Sequence, residues 1–376
     1  MDMSSSSNLE AIDTVMLTPL VRQSIQRDKA EVIDWKMETL YGGGSLNSEI
    51  RRFSGTARDE GKVLPWSLIL KIIRSPNSDE DPASRRYWKR EALAYQSGLL
   101  DQLPSTLCAP RCFGVVDQSG VEIWLWMEEI VDEISGRWSL DHYGNVARQL
   151  GQFNAAGFEK QAQMRQPWLT KGILRDCVGD TAPDIPPNIL AHPLASRVWS
   201  KDIYEWMLHV WSKHEAWIDN IERQPQTFAH LDAFRRNLFS RRDRQNNLQT
   251  VMIDWAFAGS AAAGEEIAPL VASSLNFLEF DSSQAKALDQ VVFEGYLEGL
   301  RDTGWRGDPR AVRSTYAVAS ILRYSLGVSG VAFMIADESE RGLLEQIFGH
   351  PLEELLEVWA NTNRFLFHLT DDVIQY

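Results

Sequence analysis

The sequence predicts an α+β fold, in which a small antiparallel β-rich part is followed by a larger α-helical part. Three strand-like segments, 32–40, 49–55 and 67–73, follow one another and are joined by glycine-rich or charged turns. Since no helix lies between them, they indicate an antiparallel sheet rather than a β-α-β unit. From residue 140 onward the apolar residues take helical spacing, most clearly over 202–222. The chain of 376 residues is 44% hydrophobic, enough for a large core.

The predicted elements divide the chain into three parts. Residues 1–30 hold a disordered polar tip and a leading amphipathic helix that is expected to pack on the β-rich part. Residues 31–130 form this β-rich part, in which a helix over 87–100 and a hairpin over 111–127 come after the first strands. Residues 131–376 form the helical part. The β-rich part has the usual size of a domain.

Charge and cysteine content narrow the classes of partner. The net charge of −14 argues against nucleic acid or an anionic membrane surface and is compatible with a cationic ligand. Cys108, Cys112 and Cys177 are odd in number and lack zinc-like spacing, which indicates a reducing, cytoplasmic compartment. The first residues lack the features of a secretory signal. The most apolar window, 316–336, contains Arg323, so a buried core helix is predicted there rather than a membrane span.

Four polar residues stand on two turns that follow short apolar strands: His230, Asp232, Asn237 and Asp254. An aspartate can orient an attacking hydroxyl and accept its proton, and asparagine and aspartate oxygens are ligands for Mg²⁺. His-x-Asp with Asn five residues after the Asp is the spacing of a kinase catalytic loop. The spacing therefore predicts Asp232 as the base and Asn237 and Asp254 as the metal ligands. His230 is either a catalytic group or a histidine that braces the loop.

A glycine-rich segment lies between the first two strands. Its glycines would let backbone N–H groups approach phosphates without a clashing Cβ, although a flexible hairpin turn has the same composition. The order of this segment relative to the later motif favours nucleotide binding. The predicted contact residues are Gly43, Gly44, Ser45 and Asn47.

Lys71 sits in a strand whose alternation would turn it inward among apolar neighbours. A buried ammonium needs a partner, and Glu91 in the next predicted helix can supply one. Such a pair would hold the lysine toward the α- and β-phosphates of a nucleotide. The alternative is a surface lysine and an ordinary helix glutamate. Further on, backbone groups from Glu128 to Ile130 could pair with an adenine edge, which is a prediction from position alone.

These residues together resemble the aminoglycoside phosphotransferase and choline kinase-like branch of the protein-kinase-like fold. The match runs from the glycine segment to about Leu270 and is close over the segment that begins Ile253-Asp254-Trp255. Glu266 falls where the family has the aspartate of an Asp-Leu-Ala segment. The resemblance implies a bilobal kinase with a β-rich N lobe, a helical C lobe, ATP or another nucleoside triphosphate in the cleft, and Mg²⁺.

The catalytic loop departs from the family pattern His-Gly-Asp-Leu-His-Pro-Gly-Asn. Leu231 replaces the glycine, and residues 233–236 are also changed, while the base and both metal ligands are kept. Arg236, four residues after Asp232, could contribute to catalysis by meeting the transferring phosphate, or it could pair with a surface carboxylate.

The favoured function is a small-molecule O-phosphotransferase acting on a hydroxyl of an aminoglycoside-, amino-alcohol- or sugar-like acceptor. A protein kinase is disfavoured, because Ala268-Pro269-Leu270 comes too soon after Asp254 to be that class's Ala-Pro-Glu segment. A pseudokinase would normally have lost a site residue. The acidic segments 279–281 and 371–372 could attract a cationic acceptor or be solvated helix faces. Neither the acceptor nor the oligomeric state can be predicted.

Overall fold

The computed structural model describes residues 9–40, 48–76, 81–159, 165–179, 185–325 and 329–374. The first part of the chain is built around an antiparallel sheet with a helix against each face. Among the described residues this sheet has five strands, and one short strand, Leu107–Cys108, lies outside it. The elements are α1 (Thr14–Ile25), β1 (Glu31–Leu40), β2 (Ser48–Asp59), β3 (Lys62–Arg74), α2 (Arg90–Gln96), β4 (Leu107–Cys108), β5 (Cys112–Gln118) and β6 (Glu122–Met127).

The five-stranded sheet has the order β1-β2-β3-β6-β5, and every neighbouring pair is antiparallel. Successive side chains of β3 point to opposite faces. Leu68 and Leu70 are fully buried in the cluster that includes Leu17 of α1. Ile73 packs on the other face with Ala92 of α2. The same alternation turns Lys71 toward α2, as the sequence predicted.

The rest of the chain is mainly helical, with four short strands near its middle. The fully buried Trp255 and Trp199 lie in its core. The elements are α3 (Leu140–Glu159), α4 (Ile173–Val178), α5 (Pro187–Leu190), α6 (Ala195–Val198), α7 (Lys201–Glu222), β7 (Gln226–Ala229), β8 (Leu238–Arg242), β9 (Leu248–Met252), β10 (Gly259–Ala262), α8 (Ala268–Asn276), α9 (Ala285–Asp302), α10 (Pro309–Tyr324), α11 (Ser329–Ala336), α12 (Arg341–Phe348) and α13 (Leu352–Leu369).

The prediction of one core helix over 316–336 is wrong. Two helices cover this window, since α10 ends at Tyr324 and α11 begins at Ser329. Hydropathy does not reveal the break, because successive buried helices have the same apolar composition as one long helix. No helix in the described part of the chain is long and apolar enough to cross a membrane. The helix predicted over 87–100 is also shorter and spans only Arg90–Gln96.

Candidate active site

The candidate site is assembled at the ends of β7, β8 and β9. The loop that carries His230 and Asp232 leaves β7 and returns into β8, whose first residue pairs with Met252 at the end of β9. The N–H of Ile253 donates to the carbonyl of Asn237 at 3.0 Å. The chain segments that precede Asp254 and follow Asp232 are therefore fixed side by side.

Asp232 and Asn237 are in direct contact. The Asn237 amide nitrogen donates to Oδ2 of Asp232 at 2.9 Å and to the Asp232 carbonyl at 3.0 Å. This orientation leaves the amide oxygen of Asn237 available as a ligand. Burial raises the pKa of Asp232 to about 7, against the lowering effect of Arg323. The carboxyl group is thus held in a poorly solvated place beside a group that fixes its direction.

Lys71 lies between two carboxylates from different parts of the chain. Its Nζ is 2.6 Å from Oε2 of Glu91 on α2 and 2.8 Å from Oδ1 of Asp254 after β9. Burial alone would lower the pKa of Lys71, but the two carboxylates raise it above its usual value. Burial likewise opposes ionisation of Asp254, and Lys71 nevertheless lowers the pKa of that carboxyl. Lys71 and Asp254 are therefore charged at neutral pH, whereas burial raises the pKa of Glu91 against the lowering effect of Lys71.

His230 is placed as a brace of the loop rather than as a reacting group. Its Nε2 donates to the carbonyl of Ile253 at 2.9 Å, and its Nδ1 accepts from the N–H of Asp232 at 3.2 Å. Burial lowers its pKa to about 4, so the ring stays neutral. Since both ring nitrogens are occupied, the geometry does not support His230 as a catalytic group.

Glu266 also fixes the catalytic loop, through hydrogen bonds to its backbone. Its carboxylate accepts the N–H of His230 at 2.8 Å and the N–H of Leu231 at 3.2 Å. Burial raises its pKa to about 7. Leu231 has a left-handed backbone with φ of 64°, a conformation that favours glycine. The loop therefore keeps a glycine-like turn with a fully buried leucine, and Glu266 stabilises it.

Arg323 is a site residue that sequence reasoning missed. This arginine of α10 donates to the carbonyl of Leu231 at 2.7 Å and lies 3.8 Å from Oδ1 of Asp232. The available signal was a single arginine in the most apolar window of the chain, because a buried charge requires a partner. That partner could not be chosen from the sequence.

Arg236 pairs with a carboxylate, which is the second of the two roles that the sequence left open for it. Its Nε is 2.7 Å from Oε1 of Glu279, and its guanidinium lies 4.5 Å above the centre of the Phe277 ring. The side chain is 43% exposed, and both of these contacts are with the segment that follows α8. A catalytic role for Arg236 is not supported by this position.

Comparison with solved structures identifies the fold. No protein-family model matches the chain, and no curated protein matches its sequence. The structure of the amicoumacin kinase hAmiN, in complex with AMP-PNP, Ca²⁺ and Ami, superposes with a TM-score of 0.53 at 12% identity, covering 94% of this chain and 96% of the kinase. This chain has a kinase fold. The predicted α+β, bilobal protein-kinase-like architecture is therefore confirmed, together with its structural resemblance to small-molecule kinases.

Two further kinase structures are similar at lower TM-scores. An ethanolamine kinase from Plasmodium vivax gives 0.43 at 11% identity, covering 90% of this chain and 83% of that one. An aminoglycoside phosphotransferase from Alicyclobacillus acidocaldarius gives 0.45 at 15% identity, with 93% and 95% covered.

The connection between the two parts of this kinase fold is held by ion pairs. The Glu128 carboxylate lies 3.3 Å from Arg111 and 3.1 Å from Arg241. The backbone N–H of Glu128 donates to the Arg111 carbonyl at 2.9 Å. Of its backbone groups, Glu128 could therefore offer only the carbonyl to an adenine edge. Among the described residues, the N–H of Ile130 has no hydrogen-bond partner. This N–H is therefore available to donate to an adenine edge, the contact predicted from position.

The remaining predicted contacts fall into two groups. The glycine segment with Gly43, Gly44, Ser45 and Asn47 lies outside the described residues. The acidic segments are partly engaged, since Glu279 pairs with Arg236 and Asp372 lies 2.7 Å from Arg313. Asp281 accepts the N–H of Ser283 at 2.9 Å as a helix cap. These carboxylates are therefore engaged in ion pairs or hydrogen bonds within the protein.

Proposed function

We propose that this protein is a small-molecule phosphotransferase that moves the γ-phosphoryl group of ATP to a hydroxyl of its acceptor. The observation that carries the proposal is that two pairs of side chains lie on neighbouring segments, which the pairing of β8 with β9 and the bond from Ile253 to Asn237 join. Asp232 contacts Asn237 at 2.9 Å, and Lys71 joins Asp254 at 2.8 Å. Phosphoryl transfer needs a base, oxygen ligands for a divalent ion and a cation for the phosphates, all held in place.

The donor set fits a magnesium nucleotide. Within the described residues no donor contacts the amide oxygen of Asn237, and Asp254 has a second carboxylate oxygen besides the one on Lys71. Mg²⁺ is commonly bound by one or two protein oxygens together with substrate phosphates rather than by an all-protein cage. In the described residues no cluster of three or more His, Cys, Asp or Glu could hold a metal by itself. When bound, the ion would neutralise charge on the β- and γ-phosphates.

The chain's own residues orient the reactants. Asp232 accepts the proton of the acceptor hydroxyl, and the hydrogen bond from Asn237 keeps the Asp232 carboxylate from rotating. Lys71, held by Glu91, faces the α- and β-phosphates. In this proposal residues 31–130 bind the nucleotide, and residues 131–376 carry the catalytic loop and the acceptor-binding helices. ATP supply and the free thiols at Cys108, Cys112 and Cys177 suit a cytoplasmic location.

Two alternatives have less support. A pseudokinase would lack the base, the lysine or a metal ligand, and each is present here. A protein kinase needs a peptide platform after the magnesium aspartate. Here the chain passes from Asp254 through the short strand β10 directly into α8 at Ala268. The acceptor is therefore taken to be a small hydroxyl compound such as an aminoglycoside, an amino alcohol or a sugar.

A panel assay tests this function. Purified protein is incubated with ATP and Mg²⁺ and with aminoglycosides, macrolides, choline-like amines, sugars and nucleosides in turn, and ADP release is measured. We expect release that depends on one acceptor class. Nucleotide binding without acceptor-dependent release would favour the pseudokinase, and release only with a protein substrate would favour the protein kinase.

Replacing Asp254 by asparagine tests the metal site. The change removes the carboxylate charge that the proposal assigns to Mg²⁺ and also one partner of Lys71. We expect the Mg²⁺ concentration for half-maximal ADP release to rise by about tenfold or more, since ligand charge sets affinity at such sites. Asp243→Asn, in an exposed turn between β8 and β9, is the matched control. An unchanged Mg²⁺ dependence in Asp254→Asn would remove Asp254 from the metal site.

A further inference from the structure

Arg323 lies behind the catalytic loop on α10, far along the chain from the loop itself. Its Nη1 donates to the Leu231 carbonyl at 2.7 Å, and its Nη2 lies 3.8 Å from Oδ1 of Asp232. The arginine side chain is only 9% exposed. A buried guanidinium is costly unless it is paired and hydrogen-bonded. The carbonyl and the carboxylate that lie nearest to the guanidinium belong to the loop that carries the proposed base.

The arginines of the loop itself are directed elsewhere. Arg235 lies 2.8 Å from Asp132, and Arg236 lies 2.7 Å from Glu279. Over the residues that the structure describes, Arg323 is the cation that forms an ion pair with the proposed base. The positive charge beside the base therefore comes from the C-terminal helices and not from the loop.

The two carboxylate oxygens of Asp232 have different surroundings. Oδ2 accepts a hydrogen bond from Asn237 at 2.9 Å. Oδ1 faces Arg323 at 3.8 Å, which is too long for a hydrogen bond. A cation at this distance attracts Oδ1 without using its capacity to accept the proton of a hydroxyl.

The peptide before the base is also held by Arg323. Leu231 has a φ of 64°, and its N–H donates to Glu266 while its carbonyl accepts from Arg323. A left-handed leucine persists only where the surroundings fix it. Glu266 and Arg323 fix both sides of this residue, and the direction of the Asp232 side chain depends on it.

We propose that Arg323 is a positioning residue for phosphoryl transfer, which holds the Leu231 peptide and directs Oδ1 of Asp232 toward the acceptor hydroxyl. The proposal rests on the proposed function, since that function makes Asp232 the base. It predicts a defect in turnover rather than in nucleotide binding, because Arg323 contacts the loop and acts through the base.

The test uses the full-length variants Arg323→Met and Arg323→Lys. Turnover is measured as ADP release from ATP and Mg²⁺ with the panel compound that supports it, or with water where none does, and binding is measured with AMP-PNP. We expect Arg323→Met to lower kcat about 100-fold, since small misplacements of a reacting group have effects of this size. AMP-PNP affinity should change less than about twofold, and Arg323→Lys should recover about tenfold, because lysine keeps the charge but not the paired geometry.

Arg313→Met is the matched control, because Arg313 is a mostly buried arginine on the same helix that pairs with Asp289 and Asp372. Its kcat should stay within about threefold of wild type after correction for folded protein. In an Asp232→Ala background, adding Arg323→Met should change the residual rate less than about threefold, since a residue that acts through the base has no further effect without it.

The proposal is overturned if Arg323→Met keeps kcat within about threefold of wild type, or if it lowers the residual rate of Asp232→Ala by as much as it lowers the wild-type rate. If Arg323→Met does not fold, Arg323→Lys decides, and a wild-type kcat there rejects the proposal. A fully active Asp232→Ala would instead reject the proposed function.

Discussion

Asp232→Ala should lower turnover by about 10²-fold or more while leaving nucleotide affinity nearly unchanged. The carboxylate contacts Asn237 and faces Arg323, whereas the groups expected to meet the nucleotide phosphates are Lys71 and Asp254. Removing the side chain takes away the proton acceptor but leaves these charges in place. Steady-state ADP release gives kcat, and titration with AMP-PNP gives the affinity.

A control variant and a stability measurement distinguish a loss of catalysis from a loss of folding in this experiment. Asp243→Ala removes a carboxylate from the exposed turn at the opposite end of the β8–β9 hairpin from the site and should retain wild-type turnover. Thermal midpoints of both variants show whether the loop has lost its structure. Wild-type turnover in Asp232→Ala would exclude Asp232 as the base, and a large loss of AMP-PNP affinity would mean that the carboxylate acts in nucleotide binding.

Arg90→Met should give the largest loss of stability among the substitutions considered. Arg90 is fully buried at the start of α2, one residue before Glu91. Its guanidinium is surrounded by backbone carbonyls from three separate segments, and methionine would leave these acceptors without their donors. We expect a cost of roughly 3–5 kcal/mol, the range found when a buried charge network loses a member. The carbonyls are those of Trp168 at 2.7 Å, Ala256 at 2.9 Å, Arg85 at 3.0 Å, Pro82 at 3.1 Å, and Ser84.

Thermal and urea unfolding measure this loss. Arg148→Met is the control, because Arg148 forms an ion pair with Asp302 but is 48% exposed. Exposed pairs contribute little, so its midpoint should move by less than about 2 °C. Since Arg90 also binds the Ala256 carbonyl just after Asp254, the remaining folded Arg90→Met should have reduced turnover. Equal midpoints for the two variants would show that the carbonyls find other donors.

Local pattern predicted the parts of the site that depend on a single strand or turn. Alternation along β3 was enough to turn Lys71 inward, and the need of a buried ammonium for a partner led to Glu91, 2.6 Å away. The spacing of Asp232, Asn237 and Asp254 placed them on turns that the pairing of β8 with β9 brings together. Both inferences need only short-range geometry, which sequence encodes directly.

The parts that were missed depend on contacts between distant segments. Arg323 and Arg90 meet carbonyls, and a carbonyl carries no side-chain identity by which a sequence could point to it. Arg236 lay at a plausible catalytic spacing, but Glu279 lies close enough to pair with it. The sequence left His230 either as a catalytic group or as a brace of the loop, and its hydrogen bond to the Ile253 carbonyl supports the bracing role. In each case the competing partner comes from tertiary packing.

The position of Lys71 has a consequence for how a nucleotide and a metal ion would bind together under the proposed function. Its ammonium is paired with both Glu91 and Asp254, which belong to separate segments of the fold. Under the proposed function, a triphosphate that binds at Lys71 would draw the ammonium away from Asp254, and the carboxylate released in this way would be uncompensated. A divalent ion bound together with the nucleotide would restore the balance of charge. Occupancy by the metal and by the nucleotide should therefore be mutually reinforcing, an exchange of partners rather than two separate additions.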